Sequence, residues 1–208
     1  MKKIGITQRM MKEQAYREIR DCLDIKWSVY VKEMGMFPVI LPSAYPFSLY
    51  IQEVHLDGVI LSGGNNLSSI DAIPLNRQRD HYEMAVIRTC LKHEIPLMGV
   101  CRGMQLIGEY FDKKKKKVDH HVALYHTIHI QENSILSMSE FQVQMVNSYH
   151  QYALSDCPQD FQICAISDDG IIEAMEHTEY KIYTQMWHPE REDEFCEWNI
   201  AALKGFFD

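Results

Sequence analysis

Residues 95–107 join an apolar run to an amphipathic one through Gly99-Val100-Cys101-Arg102-Gly103. Glycines on both sides of Cys101 permit a turn too sharp for bulkier neighbours, with the sulfur at its apex and the first N–H groups of a helix beside it. A helix N-terminus lowers a thiol pKa and offers an anion site, so Cys101 reads as a nucleophile. Such a nucleophile needs a base. Near the C-terminus a strand-like run ends in His188-Pro189-Glu190. Pro189 stiffens that turn, so an imidazole that takes the thiol proton and a carboxylate that fixes its tautomer can point the same way. The turn Leu61-Ser62-Gly63-Gly64-Asn65 adds a backbone that a substrate can approach closely at Gly63. There the Gly64 N–H supplies one oxyanion donor and the Arg102 N–H the other.

These groups must be held by a fold, and the order of elements names its class. Short apolar runs alternate with longer amphipathic ones in the first half, the mark of a parallel sheet covered by helices on both faces. Strands are expected at residues 3–7, 37–42, 57–62 and 96–100. Helices are expected at 15–35, where Ile19, Cys22, Leu23, Trp27, Tyr30, Val31 and Met34 form one stripe, at 46–54, and at 78–93. The second half is mainly β, with strands at 122–131, 142–147, 161–168, 171–176 and 181–187, and Asp168-Asp169-Gly170 as a hairpin turn. A closing helix spans 191–207. Residues 1–208 read as one domain.

Composition excludes several classes of function. A net charge of −8 gives no basic face for nucleic acid. No apolar run approaches the ~20 residues that span a bilayer. The six cysteines contain no C-x-x-C pair, so neither a zinc ribbon nor a disulfide framework is indicated, and free thiols in a reducing cytoplasm are expected. His120, His121, His126 and His129 follow no recognised metal spacing, so no metal is expected.

The elbow, the late His-Pro-Glu and the earlier glycine turn, in this order, resemble the class I glutamine amidotransferase superfamily. Cys-Arg-Gly-Met-Gln at the elbow, Arg79-Asp80-x-x-Glu83, Asn147-Ser148-Tyr149-His150 and Asp169-Gly170-Ile171-Ile172-Glu173-Ala174 resemble its γ-glutamyl hydrolase branch. The resemblance implies a flavodoxin-like three-layer α/β/α sandwich, mostly parallel, with additional strands in the second half. It implies that Cys101 attacks the γ-carbonyl of a small γ-glutamyl compound, that His188 protonates the leaving nitrogen, and that water releases glutamate from the thioester, without a cofactor.

The same resemblance places Gln105, Asn147, Ser148, His150 and His121 on the substrate side. A solvent-side helix position stays open for Gln105, and a core role for His150. Glu83 meets either a substrate ammonium or solvent on its helix. The lysines of residues 113–117 form a solvated mobile loop or attract a phosphate-bearing leaving group. In the second case the similarity extends to bacterial capsule enzymes acting on γ-glutamyl-CDP-amidate, with a γ-glutamylated polyamine-derived acid or folate polyglutamate as other leaving groups. Two rival functions remain: a glutaminase subunit that delivers ammonia to a synthase, and a non-catalytic γ-glutamyl-binding protein.

Overall fold

The computed structural model describes residues 1–138 and 142–208. Its centre is a nine-stranded sheet in which β1 (Lys3–Ile6), β4 (Phe37–Ile40), β5 (Gly58–Leu61), β6 (Leu97–Val100) and β13 (Ile182–Gln185) run parallel in the order β4-β1-β5-β6-β13. The antiparallel strands β12 (Ile172–His177), β11 (Phe161–Ser167), β8 (Val122–Ile130) and β9 (Val143–Tyr149) continue it. Strand residues are apolar on both faces, as a covered sheet requires. Along β5, Val59 and Leu61 join one core while Ile60 joins the other.

Helices α2 (Phe47–Glu53), α3 (Pro74–Lys92) and α4 (Arg102–Tyr110) cover one face, burying Phe47, Val86, Ile87, Met104 and Ile107. Helices α1 (Lys26–Glu33) and α5 (Glu197–Phe207) cover the other with Trp27, Tyr30, Leu203 and Phe206. The fold is the expected α/β/α sandwich with a β-rich second half.

Local departures have physical causes. The helix expected at 15–35 occupies only Lys26–Glu33. Upstream, β2 (Arg9–Lys12) and β3 (Ile19–Cys22) form an antiparallel hairpin. The stripe is helical only from Lys26 onward: Ile19 is exposed, Leu23 packs on the core from ahead of the helix, and the Asp24 carboxylate accepts the Lys26 N–H at 2.9 Å. Helix α3 begins earlier than expected, at Pro74, where proline suits a first helical position. The last helix begins at Glu197, after a single 3₁₀ turn at Pro189–Arg191. Part of the lysine run is ordered as β7 (Lys115–Lys117), paired with the short strand β10 (Tyr152–Leu154), so it is not simply a loop.

Candidate active site

The C-terminal ends of β1, β5, β6 and β13 lie side by side, the usual crevice for chemistry in such sheets. At the end of β6 the Cys101 N–H donates to Gln185 O at 2.8 Å, and Cys101 O accepts the Gln105 N–H at 3.1 Å. The last ladder bond and the first helical bond therefore meet in one residue. Cys101 takes φ 52° and ψ −101°, a strained conformation for a side-chain-bearing residue and the mark of a nucleophile elbow. Gly103 is required there, since a Cβ would lie 2.3 Å from Leu61 O.

Strand β13, paired with β6, carries the chain to His188. Its Nδ1 is 2.8 Å from Glu190 Oε1 across the Pro189 turn. Asn147 holds the His188 backbone from both sides, accepting its N–H at 2.9 Å and donating to its carbonyl at 2.8 Å. The imidazole packs so closely on the glycine turn that a Cβ on Gly63 would sit 2.4 Å from its Cε1. Burial alone would raise the Cys101 thiol. The charge of His188 and a hydrogen bond with it, helped by His150 and Arg191, bring it below the ordinary value. Burial would lower His188, but Glu190 and Cys101 outweigh burial and raise it to about 9. Each partner therefore shifts the other toward its charged form, thiolate for Cys101 and imidazolium for His188.

The glycine turn is held from behind by Arg79, a fully buried residue of α3. Its guanidinium donates to Ser62 O at 2.7 Å, to Gly63 O at 3.0 Å and to Gly64 O. Three successive carbonyls are thus engaged on one side of the turn. The Arg102 side chain leaves the site and pairs with Asp80 and Glu83, so the contribution open to Arg102 in catalysis is its backbone N–H. Glu83 meets neither substrate nor solvent: it is buried and accepts from Thr7 Oγ1 at 2.7 Å and from both arginines.

A cavity of about 330 Å³ opens over Cys101, lined by Gly64, Asn65, Arg102, Gln105, Tyr149, His150, Tyr152, His188 and Arg191 among others. Gln105 is buried, not on the solvent side, and donates to Tyr152 O at 2.7 Å. His150 is on the cavity wall. Asn147, Ser148 and His121 are not among its lining residues. Asn147 serves the His188 backbone, and Ser148 donates to His121 O at 2.8 Å. His121 is buried beside Glu173 and Asp169. A larger concavity of about 580 Å³ lies at the opposite end of the strands, by Leu97 and Ile182, remote from Cys101.

Two contributions to the site are not evident from the sequence. Arg191 stacks its guanidinium 4.6 Å from the Tyr149 ring centre and faces the cavity. Its position directly after His-Pro-Glu is the available signal. The hold of Arg79 on the glycine turn is the other, and its i,i+4 pairing with Glu83 on an otherwise amphipathic helix is the clue to it.

Comparisons with known proteins bear on the family and the fold. Residues 3–190 match the peptidase C26 family. The chain is 34% identical over 205 residues to the γ-glutamyl-CDP-amidate hydrolase of Campylobacter jejuni, covering 98% of this chain and 96% of that one. It is 28% identical to one subunit of the glutamine-hydrolysing GMP synthase of Pyrococcus furiosus, covering 77% of this chain and 79% of the other. Among solved structures, a protein assigned as a GMP synthase subunit, from Thermoplasma acidophilum, superposes with a TM-score of 0.75 at 20% identity, over 100% of this chain and 92% of that one. A glutamine amidotransferase from Thermotoga maritima gives 0.68 at 16%, over 98% and 83%. Among the described residues no helix is long and apolar enough to cross a membrane. With the family match running from β1 through the His-Pro-Glu turn, this chain belongs to the peptidase C26 family, on the class I glutamine amidotransferase-like fold.

Proposed function

We propose that this protein hydrolyses the γ-glutamyl amide bond of a nucleotide-linked γ-glutamyl compound, with γ-glutamyl-CDP-amidate as the first substrate to test. The observation that carries the reading is Cys101 on its strained elbow against the His188–Glu190 pair, facing a polar cavity. In this reading the Cys101 thiolate attacks the γ-carbonyl, and the backbone N–H groups of Gly64 and Arg102 take up the oxyanion charge. His188 gives its proton to the departing nitrogen, leaving a γ-glutamyl thioester. Neutral His188 then accepts a proton from the attacking water, the thiolate leaves, and glutamate is released. Gly63 allows the close approach, Arg191 is the cation available to the α-carboxylate, and Gln105 and His150 supply polar contacts along the wall.

The nucleotide half of the substrate has support of its own. A concavity of about 470 Å³, lined by Lys113, Lys114, Lys115, Ser69 and Glu109, shares the wall residue Tyr152 with the Cys101 cavity. Lys113 is 3.5 Å from Asp156, and Lys115 pairs with Glu109. Among the described residues Lys114 has no ion-pair partner, and it is the charge best placed for a leaving-group phosphate.

A second reading, a glutaminase that hands ammonia to a synthase, draws on the similarity to GMP synthase subunits. Glutamate release from γ-glutamyl-CDP-amidate and from free glutamine, measured on one preparation, separates the two. Preference for the nucleotide-linked compound by more than ~10²-fold in kcat/KM supports the hydrolase. Faster turnover of glutamine overturns it.

A further inference from the structure

Beside His150 lies a cluster of which the proposed reaction uses only His150 itself. Glu173 on β12 is fully buried, and neither carboxylate oxygen has a hydrogen-bond partner among the described residues. His121 Nδ1 is 3.4 Å from Glu173 Oε1, His150 Nε2 is 3.3 Å from the same oxygen, and His126 Nε2 is 3.7 Å from Oε2. None of these ring nitrogens has a hydrogen-bond partner either. Elsewhere in the molecule histidine and carboxylate do meet at hydrogen-bond distance, 2.8 Å for His188 with Glu190 and 2.6 Å for His129 with Asp168.

The longer separations match a different geometry. Donors bound tetrahedrally at ~2.0–2.1 Å from one ion lie ~3.3 Å from one another. The donor atoms of His121, His150 and Glu173 all fall within 4.8 Å. Shifts of under about 1 Å in each ring would bring them to that spacing. The far side of His121 is also arranged for it: Nε2 lies 3.0 Å from Asp169 Oδ2, the carboxylate–histidine partnership that fixes the tautomer of a metal-ligating imidazole.

We propose that His121 Nδ1, His150 Nε2 and a Glu173 oxygen bind one Zn²⁺ ion, with His126 flanking the site. Two imidazole nitrogens and one carboxylate, with no thiolate, suit zinc, and three protein donors leave the fourth tetrahedral position to water. The ion would tie the start of β8 and the end of β9 to β12, fixing the cavity wall that carries His150. This does not rest on the proposed reaction, and zinc results of either sign leave that reading where it stands.

The test uses the full-length Cys101→Ser protein, so that the elbow thiol cannot capture metal. Expressed with zinc supplied and then desalted, it should carry close to one zinc per chain by elemental analysis. Co²⁺ added to the chelator-stripped protein should give the intense visible absorption of a tetrahedral site. Adding Glu173→Gln should abolish both signals. Adding Asp169→Asn, on an exposed turn where folding is not at stake, should weaken zinc affinity by ~10–100-fold in competition with a chromophoric chelator. Absence of zinc and of the cobalt spectrum from the parent protein, or zinc affinity unchanged by Asp169→Asn, would overturn the proposal.

Discussion

Glu83 and Glu173 are both fully buried carboxylates, one behind the parallel half of the sheet and one within the antiparallel extension. Glu83 is saturated: Thr7, Arg79 and Arg102 all donate to it, and although burial pushes it up, the two arginines hold it below the usual carboxylate range. Glu173 faces three imidazoles at 3.3–3.7 Å, none of them closing a well-directed hydrogen bond on it. A buried charge persists only when something compensates it. In the parallel half that compensation is complete within the chain, which is why the elbow and glycine turn can be rigid. In the antiparallel half the imidazoles of His121, His126 and His150 are the partners the chain offers Glu173, and the proposed zinc ion would complete the compensation.

The largest effect that would sharpen this contrast lies in the parallel half. His188→Ala should lower turnover by ~10⁴-fold, because both the proton donor and the cation that stabilises the thiolate are lost. Next comes Glu83→Gln, which leaves Arg79 and Arg102 buried with one carboxylate fewer and should cost ~3–5 kcal/mol in urea unfolding. Glu173→Gln in chelator-treated protein should cost much less. Equal costs would mean that the two buried carboxylates are compensated alike within the chain. Arg79→Lys should reduce kcat by ~10²-fold with little change in KM, since a single ammonium cannot hold three carbonyls and the Gly64 N–H loses its aim.

The pH profile is a subtler readout. With Cys101 lowered and His188 raised to about 9, activity should hold through neutral pH. It should fall at alkaline pH as His188 loses the proton destined for the leaving group, and in acid as the thiolate is protonated. Glu190→Gln removes the group that raises His188, so the alkaline limb should move to lower pH. An unmoved limb would argue against the pairing. The smallest expected change is in Lys114→Ala, ~3–10-fold in KM for the nucleotide-linked substrate and none for glutamine, because the charge is exposed and screened.

Much of this was readable in the residues. The parallel strands, the elbow and the late His-Pro-Glu are local patterns whose chemistry follows from a few neighbouring side chains. The hairpin of Arg9–Lys12 with Ile19–Cys22 was not, because Ile19 and Cys22 fall on a helical stripe that the fold leaves out of the core. Nor were the partners of Asn147 and Ser148, since hydrogen bonds to the backbones of His188 and His121 depend on long-range register. The His121–His126–His150–Glu173 cluster is beyond any spacing rule, because three separate strands or strand ends supply its members.

In the proposed reaction Cys101 carries the γ-glutamyl group between two half-reactions. The most direct test is intact-mass and peptide analysis of protein acid-quenched within milliseconds of mixing with γ-glutamyl-CDP-amidate. A γ-glutamyl adduct on the Cys101 peptide, forming before free glutamate and absent from Cys101→Ala, is the predicted result. Full turnover by Cys101→Ala would contradict it.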